Sequence, residues 1–237
     1  MTYNSSLLLA DAEKLGISVS SEQLERFEKL TELLVEQNKT MNLTAITDPD
    51  GIAVKHFADS ISILSAVEFE KGAKVLDVGT GAGFPGIPLL IMRPDLDLTM
   101  LDSTAKKLRY VADTVNSLGL TANVLHSRAE EAAQKSEYRE SFDIVCSRAV
   151  AALNILCEYC LPFVKKGGIF AAMKGAKAQE EIKLAKNSIK TLGGEIIAQK
   201  SFMLSDGAER TIIIIKKISH NLPKYPRPSA QIAKKPL

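Results

Sequence analysis

The chain has 237 residues, of which 46% are hydrophobic and 24% charged, so it can bury one full core and a small additional lobe. Its first residues lack a basic segment followed by an apolar run, and no stretch of 18 uncharged apolar residues occurs, which predicts a cytoplasmic protein outside the membrane. The three cysteines are an odd number and do not form a disulfide framework, so we expect reduced thiols.

Charge is unevenly distributed, although the net value is only +2. Residues 1–70 hold 5 Lys/Arg against 12 Asp/Glu, residues 71–215 hold 19 against 16, and residues 216–237 hold 6 against none. A basic C-terminal tail can contact phosphates, and a solvated end that keeps the protein soluble is an equally good interpretation.

The first 70 residues predict two helices. Leucines and a phenylalanine recur at helical spacing over residues 20–38, with Ser20 or Ser21 as the N-cap. A second helix is predicted from residues 48–50 to about Val67, with Pro49 in its first turn. We therefore expect a helical extension over residues 1–70, with an acidic outer face on its first helix.

Three polar residues of the second predicted helix, His56, Asp59 and Ser60, fall at positions i, i+3 and i+4 and share one face. One interpretation places this face at the rim of an active site. The other, which we favour for a His–Asp pair, is a hydrogen-bonded trio that locks the helix to the core. A serine-hydrolase triad is excluded, because residues on adjacent turns of one helix cannot align as nucleophile, base and orienting acid.

A glycine-rich turn follows the next predicted element, a buried strand at residues 74–78. Glycines at 79, 81, 83 and 86 allow close approach of the backbone to a ligand, which is typical of a nucleotide-cofactor loop. Residues 81–86 match the dinucleotide fingerprint, but Asp77 at the strand end would repel a pyrophosphate and attract an ammonium group. Asp102 ends the next apolar run, where a carboxylate would bond ribose hydroxyls. The two carboxylates favour S-adenosylmethionine over NAD as the cofactor.

Short apolar runs then alternate with helical stretches, as expected of βαβ units. Strands are predicted at residues 74–78, 97–101, 122–126, 142–147 and 168–173, and two more at 195–198 and 210–218 without a full helix between them. An antiparallel pair closing an otherwise parallel, seven-stranded sheet fits this order and predicts the α/β class I methyltransferase fold, Rossmann-like, over residues 71–218, with a basic tail at 219–237.

Ligands of such sheets bind at the carboxyl ends of the strands. The residues predicted there are Asp77, Gly79, Gly81, Asp102, the segments 128–130 and 147–148, and Lys174 with Gly175. The three cysteines contribute no chemistry in this interpretation, since Cys146 is expected to be a buried small hydrophobe and Cys157 and Cys160 to pack one face of a helix. No metal site is predicted, because a second C-x-x-C and paired histidines are missing from the sequence.

A family resemblance rests on six motifs in a characteristic order: MNLTAI at 41–46, HFADS at 56–60, DVGTGAGFPGIPL at 77–89, SRAVA at 147–151, KG at 174–175 and KYPR at 224–227. With them the chain closely resembles the RsmG (GidB) family of bacterial 16S rRNA methyltransferases from about residue 20 onward. It departs from the family pattern at 228–232, where the Gly-Thr-Pro usual after the KYPR motif is missing.

The resemblance implies methyl transfer from S-adenosylmethionine to N7 of a guanosine in 16S rRNA, free or within the small ribosomal subunit. We expect the protein to be a monomer. It places Gly79 and Phe84 against the cofactor, Ala129 and Glu130 at its adenine end, and Arg148 at the cofactor or the acceptor. Arg148 and then Lys174 are the candidates to orient guanine through O6, and a salt bridge of Arg148 to Asp77 or Glu130 is the structural alternative. A small-molecule methyltransferase, an NAD enzyme and an assembly factor with a vestigial site remain as other hypotheses.

Overall fold

The computed structural model describes residues 2–237, which form ten α-helical segments and seven strands. The helices are α1 (Ser5–Lys14), α2 (Ser21–Met41), α3 (Pro49–Gly51), α4 (Asp59–Ile61), α5 (Gly86–Met92), α6 (Ala105–Ser117), α7 (Ala129–Ala132), α8 (Leu153–Cys160), α9 (Ala178–Thr191) and α10 (Ser229–Lys234). The strands are β1 (Lys74–Val78), β2 (Asp97–Asp102), β3 (Asn123–His126), β4 (Phe142–Arg148), β5 (Val164–Gly175), β6 (Gly194–Met203) and β7 (Glu209–Lys217).

The seven strands form one sheet in the order β3-β2-β1-β4-β5-β7-β6. Strands β1 to β5 are parallel, and β7 runs antiparallel to both of its neighbours. The strand order reverses between β1 and β4, so the loops after these two strands diverge and leave a crevice at the carboxyl ends. This confirms the predicted fold class. Strand β6 is longer than the predicted 195–198, β7 lies one residue earlier than predicted, and β5 begins at Val164 instead of Gly168.

Buried side chains alternate between the two faces of the central strands. On β1, Val75 packs on one face with the N-terminal helices and α5, while Leu76 and Val78 pack on the other with α8 and α9. The hydrophobic cores on the two faces hold the loops at the carboxyl edge of the sheet in place. The N-terminal helices thus belong to the same hydrophobic core as β1 and β2. Leu8 of α1 and Met100 of β2 are members of one cluster of buried residues.

The predicted N-terminus of α2 is confirmed at Ser20. The Ser20 hydroxyl accepts a hydrogen bond from the backbone N–H of Gln23, and the Gln23 side chain accepts one from the backbone N–H of Ser20. This capping box satisfies two donors that the first helical turn would otherwise leave unpaired.

The second predicted helix differs from the expectation of one α-helix through Val67. Between α3 and α4 the chain forms a π-helix over Ile52–Ala58, and after α4 it ends in a 3₁₀ turn at Ser62–Ser65. The wider turn of a π-helix changes the direction in which its side chains point, so α-helical spacing alone does not fix the face shared by His56, Asp59 and Ser60. The Ser60 hydroxyl donates to the backbone oxygen of His56, and the other two side chains point to different partners.

The three cysteines are buried and reduced, as predicted, and burial raises the pKa of Cys157 to about 12. Cys157 and Cys160 lie on α8, and Cys146 lies inside β4. Within residues 2–237, no helix combines the length and apolarity needed to cross a membrane. The division of the chain at residues 70 and 218 stays a prediction.

Candidate active site

A cavity of about 540 Å³ lies at the carboxyl ends of β1, β2 and β4, where the strand order reverses. It is large enough for a nucleoside cofactor, and its walls come from the loops that follow these strands and from the N-terminal and C-terminal segments. The lining residues with functional side chains or close backbone are Thr44, His56, Gly79, Gly81, Phe84, Asp102, Lys107, Arg128, Ala129, Glu130, Arg148, Tyr159 and Ser229.

The glycine loop is held against the end of β2 by its backbone. The N–H groups of Gly79 and Thr80 both donate to the backbone oxygen of Leu101, at 2.8 and 3.0 Å. Gly79 has a φ of +76°, and a Cβ at this position would lie 2.5 Å from the Cγ2 atom of Val150. Only glycine fits here, so the loop can pass beside Val150 and leave room for a ligand on its open side.

Asp77 lies behind the loop instead of facing the cavity. Its side chain is fully buried, and Oδ2 accepts a hydrogen bond of 3.0 Å from the backbone N–H of Gly86 at the start of α5. A Cβ on Gly86 would lie 2.9 Å from that oxygen. Burial raises the pKa of Asp77 to about 6, although the neighbouring Thr80 hydroxyl and the Gly86 N–H oppose the rise. The structure therefore gives Oδ2 of Asp77 a role in fixing the loop, whereas Oδ1 has no hydrogen-bond partner among the described residues. The contact of this carboxylate with the cofactor stays a prediction.

Asp102, by contrast, lines the cavity. Its two carboxylate oxygens accept hydrogen bonds from backbone N–H groups of both flanking loops: Oδ2 from Gly81 at 2.9 Å and Oδ1 from Thr104 at 2.8 Å. These bonds fix the carboxylate at the end of β2 while its remaining lone pairs stay available. This is the placement that a ribose-binding carboxylate needs.

Phe84 forms the centre of an aromatic and cationic stack on the cavity wall. The His56 ring lies parallel to it with centroids 4.5 Å apart, and the guanidinium carbon of Arg148 lies 5.5 Å from the Phe84 centroid. The Nε2 atom of His56 is bonded to the Thr44 hydroxyl at 2.9 Å, and Nδ1 has no partner among residues 2–237. Burial and the nearby Arg148 lower the pKa of His56 to about 4, so this ring is neutral at physiological pH.

The first cavity is also lined by residues that lie away from the stack on Phe84 in the sequence, namely Ala129, Glu130, Tyr159 and Ser229. Ser229 comes from the C-terminal segment, which was predicted only as a tail that can contact phosphates or remain solvated. In the structure Arg227 instead forms a two-pronged ion pair with the fully buried Glu158 of α8, with N–O distances of 2.8 and 2.7 Å. The tail is thus packed against α8 and supplies part of the cavity wall.

Arg148 lies at the end of β4 and is anchored through one nitrogen. Its Nη1 atom donates to the backbone oxygen of Lys55 and to Oδ2 of Asp59, both at 2.8 Å, while Nε and Nη2 have no hydrogen-bond partner among the described residues. The other oxygen of Asp59 accepts from Nε of Arg210 at 3.2 Å. The expected alternative of a salt bridge from Arg148 to Asp77 or Glu130 was wrong, since its carboxylate partner is Asp59. The irregular helix over residues 52–61 supplies both contacts.

A second cavity of about 520 Å³ adjoins the first, and the two share the wall formed by residues 148–150. It lies at the carboxyl ends of β4 and β5, and its charged lining residues are Asp59, Arg148, Lys174, Glu181 and Arg210. Lys174 lines this cavity and not the first, and its ammonium group lies 2.7 Å from Oε2 of Glu181. The two sequence-predicted catalytic candidates, Arg148 and Lys174, therefore meet at the second cavity, whereas Gly79, Gly81, Phe84, Asp102, Ala129 and Glu130 meet at the first.

The donor set of the first cavity fits S-adenosylmethionine. It offers a fixed carboxylate for ribose hydroxyls, backbone from the glycine loop, and no phosphate-binding helix terminus, because Asp77 already takes the first N–H of α5. The fold and this site define a class I methyltransferase. Solved structures with the same fold include TrmN from Thermus thermophilus, with a TM-score of 0.53 at 16% identity over 67% of this chain and 48% of that one. The YcgJ protein from Bacillus subtilis gives a TM-score of 0.54 at 12% identity over 69% of this chain and 100% of that one.

The chain belongs to the GidB family, rRNA small subunit methyltransferase G, whose family model matches residues 23–213. A ribosomal RNA small subunit methyltransferase G from Geobacillus sp. is 48% identical over 95% of both chains. Another from Lachnoclostridium phytofermentans is 43% identical over 99% of this chain and 98% of the relative. Family and fold together make S-adenosylmethionine the cofactor and methyl transfer the reaction, which confirms the predicted family and cofactor.

Sequence reasoning missed several residues of the two cavities, above all Glu181, Arg210 and Ser229. Glu181 is one of many charged residues on α9, and its contact with Lys174 depends on how that helix packs beside β5. Arg210 and Ser229 reach the site from the C-terminal part of the chain. Helical or strand periodicity carries no signal for such contacts, because they depend on tertiary packing alone.

Proposed function

We propose that the protein transfers a methyl group to N7 of a guanosine in the 16S rRNA of the small ribosomal subunit. The family description names small-subunit ribosomal RNA, and the site chemistry supports guanine N7. The observation that carries the proposal is Arg148, a cation anchored through Nη1 between two cavities with its remaining donors unbonded among the described residues.

Guanine N7 carries an in-plane lone pair and no proton near neutral pH, so its methylation needs no general base. When bound, S-adenosylmethionine supplies a methyl group on a sulfonium, and the electron pair of the broken C–S bond stays on sulfur as the N7 lone pair forms the new C–N bond. The acceleration must then come from alignment and electrostatics. The site fits this requirement, since His56 is neutral and already bonded to Thr44, and the segment after β4 is Ser147-Arg148-Ala149 in place of an amine-binding Asn/Asp-Pro-Pro motif.

In this proposal Arg148 orients the guanine by donating to O6. A hydrogen bond to N7 itself would occupy the lone pair that attacks, so the arginine must leave N7 free. Methylation also moves a positive charge from the cofactor to the base. The positive charges of Arg148 and Arg210 near the base would oppose this transfer if they were not compensated. Asp59 offsets this effect, because it lies between Arg148 and Arg210 and neutralises part of their charge.

Lys174 takes a supporting role in the same proposal. Its ammonium group bonds the backbone oxygen of Ala151 and the Glu181 carboxylate, so it holds the chain after β4 against α9. In the first cavity Gly79, Gly81, Phe84 and Asp102 would hold the cofactor body, and Ala129 and Glu130 its adenine end. We further propose that the enzyme acts as a monomer.

The test is transfer of labelled methyl from S-adenosylmethionine to small ribosomal subunits from cells that lack this enzyme, with the modified nucleoside identified by mass. Labelled 7-methylguanosine is expected from the wild type. Arg148→Ala should lower the transfer rate by roughly 100-fold or more while the melting temperature falls by only a few degrees. Transfer to small molecules but to no ribosomal substrate would overturn the acceptor, and equal loss of rate and stability would make Arg148 structural. A protein that binds the cofactor but transfers nothing would fit an assembly factor.

A further inference from the structure

We propose that the second cavity is the pocket for the target guanine and that Glu181 determines its specificity by accepting from the N1–H and N2–H groups of the base. This inference rests on the proposed function and deepens it. The cavity shares residues 148–150 with the first cavity, so a base within it would lie across this wall from a cofactor bound in the first cavity.

Residues that line this cavity carry hydrogen-bonding groups without partners in the described chain. Arg148 has Nε and Nη2 without a hydrogen-bond partner among residues 2–237. Glu181 uses Oε2 to accept from the backbone N–H of Leu153, at 2.7 Å, and to pair with Lys174, whereas its Oε1 makes no hydrogen bond within the described chain. One wall therefore offers donors, and Glu181 offers an acceptor oxygen.

Guanine matches this pattern through its two edges. It presents O6 as an acceptor beside N1–H and N2–H as donors, while N7 lies on the far side of O6. Adenine reverses the pattern, with an amino donor in place of O6 and an acceptor at N1, so it would bring donor against donor at Arg148. Buried polar groups that are left unpaired penalise the wrong base strongly.

The side chains that carry these unbonded oxygens and nitrogens are held in place by their other hydrogen bonds. Glu181 is fixed by Leu153 and Lys174, and Arg148 is fixed by Lys55 and Asp59, so neither group needs to be ordered when the base arrives. Asp59 differs from Glu181, because both of its oxygens already bond arginines. A rigid pair of donor and acceptor groups is what selective binding requires, since little conformational entropy is lost on binding.

The wall shared by the two cavities also shows backbone strain. Ala149 adopts a φ of +56°, a left-handed conformation that non-glycine residues rarely occupy. Such residues occur preferentially at ligand sites, where the surrounding structure maintains them. The strained position separates the two cavities directly, between Arg148 and Val150.

The test compares Glu181→Gln with a matched control, Glu180→Gln, which removes the same charge from the neighbouring exposed position of α9. The amide oxygen of the substituted side chain can still accept from the backbone N–H of Leu153, so its NH₂ group replaces Oε1 and presents donors to the base. We expect kcat/KM for unmethylated small subunits to fall roughly 10- to 100-fold in Glu181→Gln. The control should match the wild type.

Two further readouts separate the pocket from a structural role. Cofactor affinity, measured by calorimetry with S-adenosylhomocysteine, should remain at the wild-type value in Glu181→Gln. The melting temperature should fall by only a few degrees, because the amide oxygen still accepts from Lys174 and Leu153 but the charge of the ion pair is lost. Wild-type kcat/KM in that variant, or a loss matched by the control, would overturn the inference while 7-methylguanosine formation still supports the proposed function. If Glu181→Gln instead weakens cofactor binding and lowers the melting temperature by much more than a few degrees, Glu181 has a structural role in the fold. If the wild type itself forms no 7-methylguanosine, the proposed function fails and the guanine pocket fails with it.

Discussion

Two aspartates at the ends of neighbouring strands show how burial separates residues that look equivalent in the sequence. Asp77 and Asp102 both end apolar runs, yet Asp77 is sealed behind the glycine loop with a raised pKa, and Asp102 faces the cavity. The difference arises because Gly86, at the start of α5, packs directly against Asp77. The carboxylate of Asp77 fixes the loop, whereas the carboxylate of Asp102 bonds the loop and also lines the cavity.

Replacement of Asp102 by alanine should weaken cofactor binding by roughly 10- to 100-fold, because one charged hydrogen-bonding group is lost from the ribose end of the site. The unfolding free energy should fall by about 1–3 kcal/mol, since the N–H groups of Gly81 and Thr104 lose their acceptors. Calorimetric titration with S-adenosylhomocysteine and chemical denaturation measure the two effects.

Asp97→Ala is the matched control, because Asp97 is exposed at the opposite end of the same strand. It should leave cofactor affinity unchanged. An Asp102→Ala variant that binds the cofactor as tightly as the wild type would refute the ribose assignment, whatever its stability.

At the scale of elements, the sequence predicted those parts of the fold that depend on local pattern. The β1 strand, the glycine turn and the N-cap of α2 each follow from residues within one turn or one strand, and each is found as expected. The π-helix was not predictable from periodicity. It is maintained by distant partners, such as Arg148, which bonds the backbone oxygen of Lys55 from 93 positions away.

In the candidate site, too, some residues could be predicted from their position in the sequence and others depend on distant partners. Gly79 and Asp102 follow from strand-end position, which parallel-sheet geometry fixes. Asp59 was recognised as polar and close to His56, but its two arginine partners lie 89 and 151 positions away in the sequence. A single sequence contains no periodic signal for such pairs. The sequence therefore indicated a hydrogen-bonded helix but not its partners, and it did not show that His56 and Asp59 line two adjoining cavities.

The C-terminal segment is the element whose role changed most. Its cation Arg227 is held by Glu158, and Arg139 donates to the backbone oxygens of Asn221, Leu222 and Tyr225. These contacts direct the chain toward α10 and place Ser229 at the first cavity. The segment therefore acts on the cofactor site through packing, which a count of basic residues does not reveal.

Arg227→Ala should accordingly weaken cofactor binding several-fold and destabilise the protein by about 3–5 kcal/mol, because the buried Glu158 carboxylate loses its cation and keeps only the bond from the backbone N–H of residue 227. The salt dependence of binding to small subunits should stay unchanged, since Arg227 is not available to phosphates. Lys224→Ala, an exposed cation three residues earlier, is the control and should leave cofactor affinity as it is. The opposite result, a reduced salt slope in Arg227→Ala with normal cofactor affinity, would return this residue to RNA contact.

At the scale of the whole molecule, the charge asymmetry and the packing give different divisions of the chain. The first 70 positions carry an excess of acidic residues, and the last 22 carry cations only. The hydrophobic core extends across position 70, because buried Leu8, Phe27 and Phe57 belong to the same cluster as Leu90 and Met100. The N-terminal helices thus complete one face of the sheet.

This packing predicts that residues 71–237 do not fold alone, even though they contain the whole sheet and most of the cofactor site. Removal of residues 1–70 would expose α5, which packs against α2 and α4 and whose residues are all buried, and burial contributes about 1.5–3 kcal/mol for each large side chain. When several large side chains are exposed together, the summed loss exceeds the roughly 5–15 kcal/mol by which a typical domain is stabilised. We expect the fragment to lack a cooperative unfolding transition in urea, whereas a chain ending at residue 228, without α10, should retain one. A cooperative transition in the 71–237 fragment would show instead that the N-terminal helices are a separable extension.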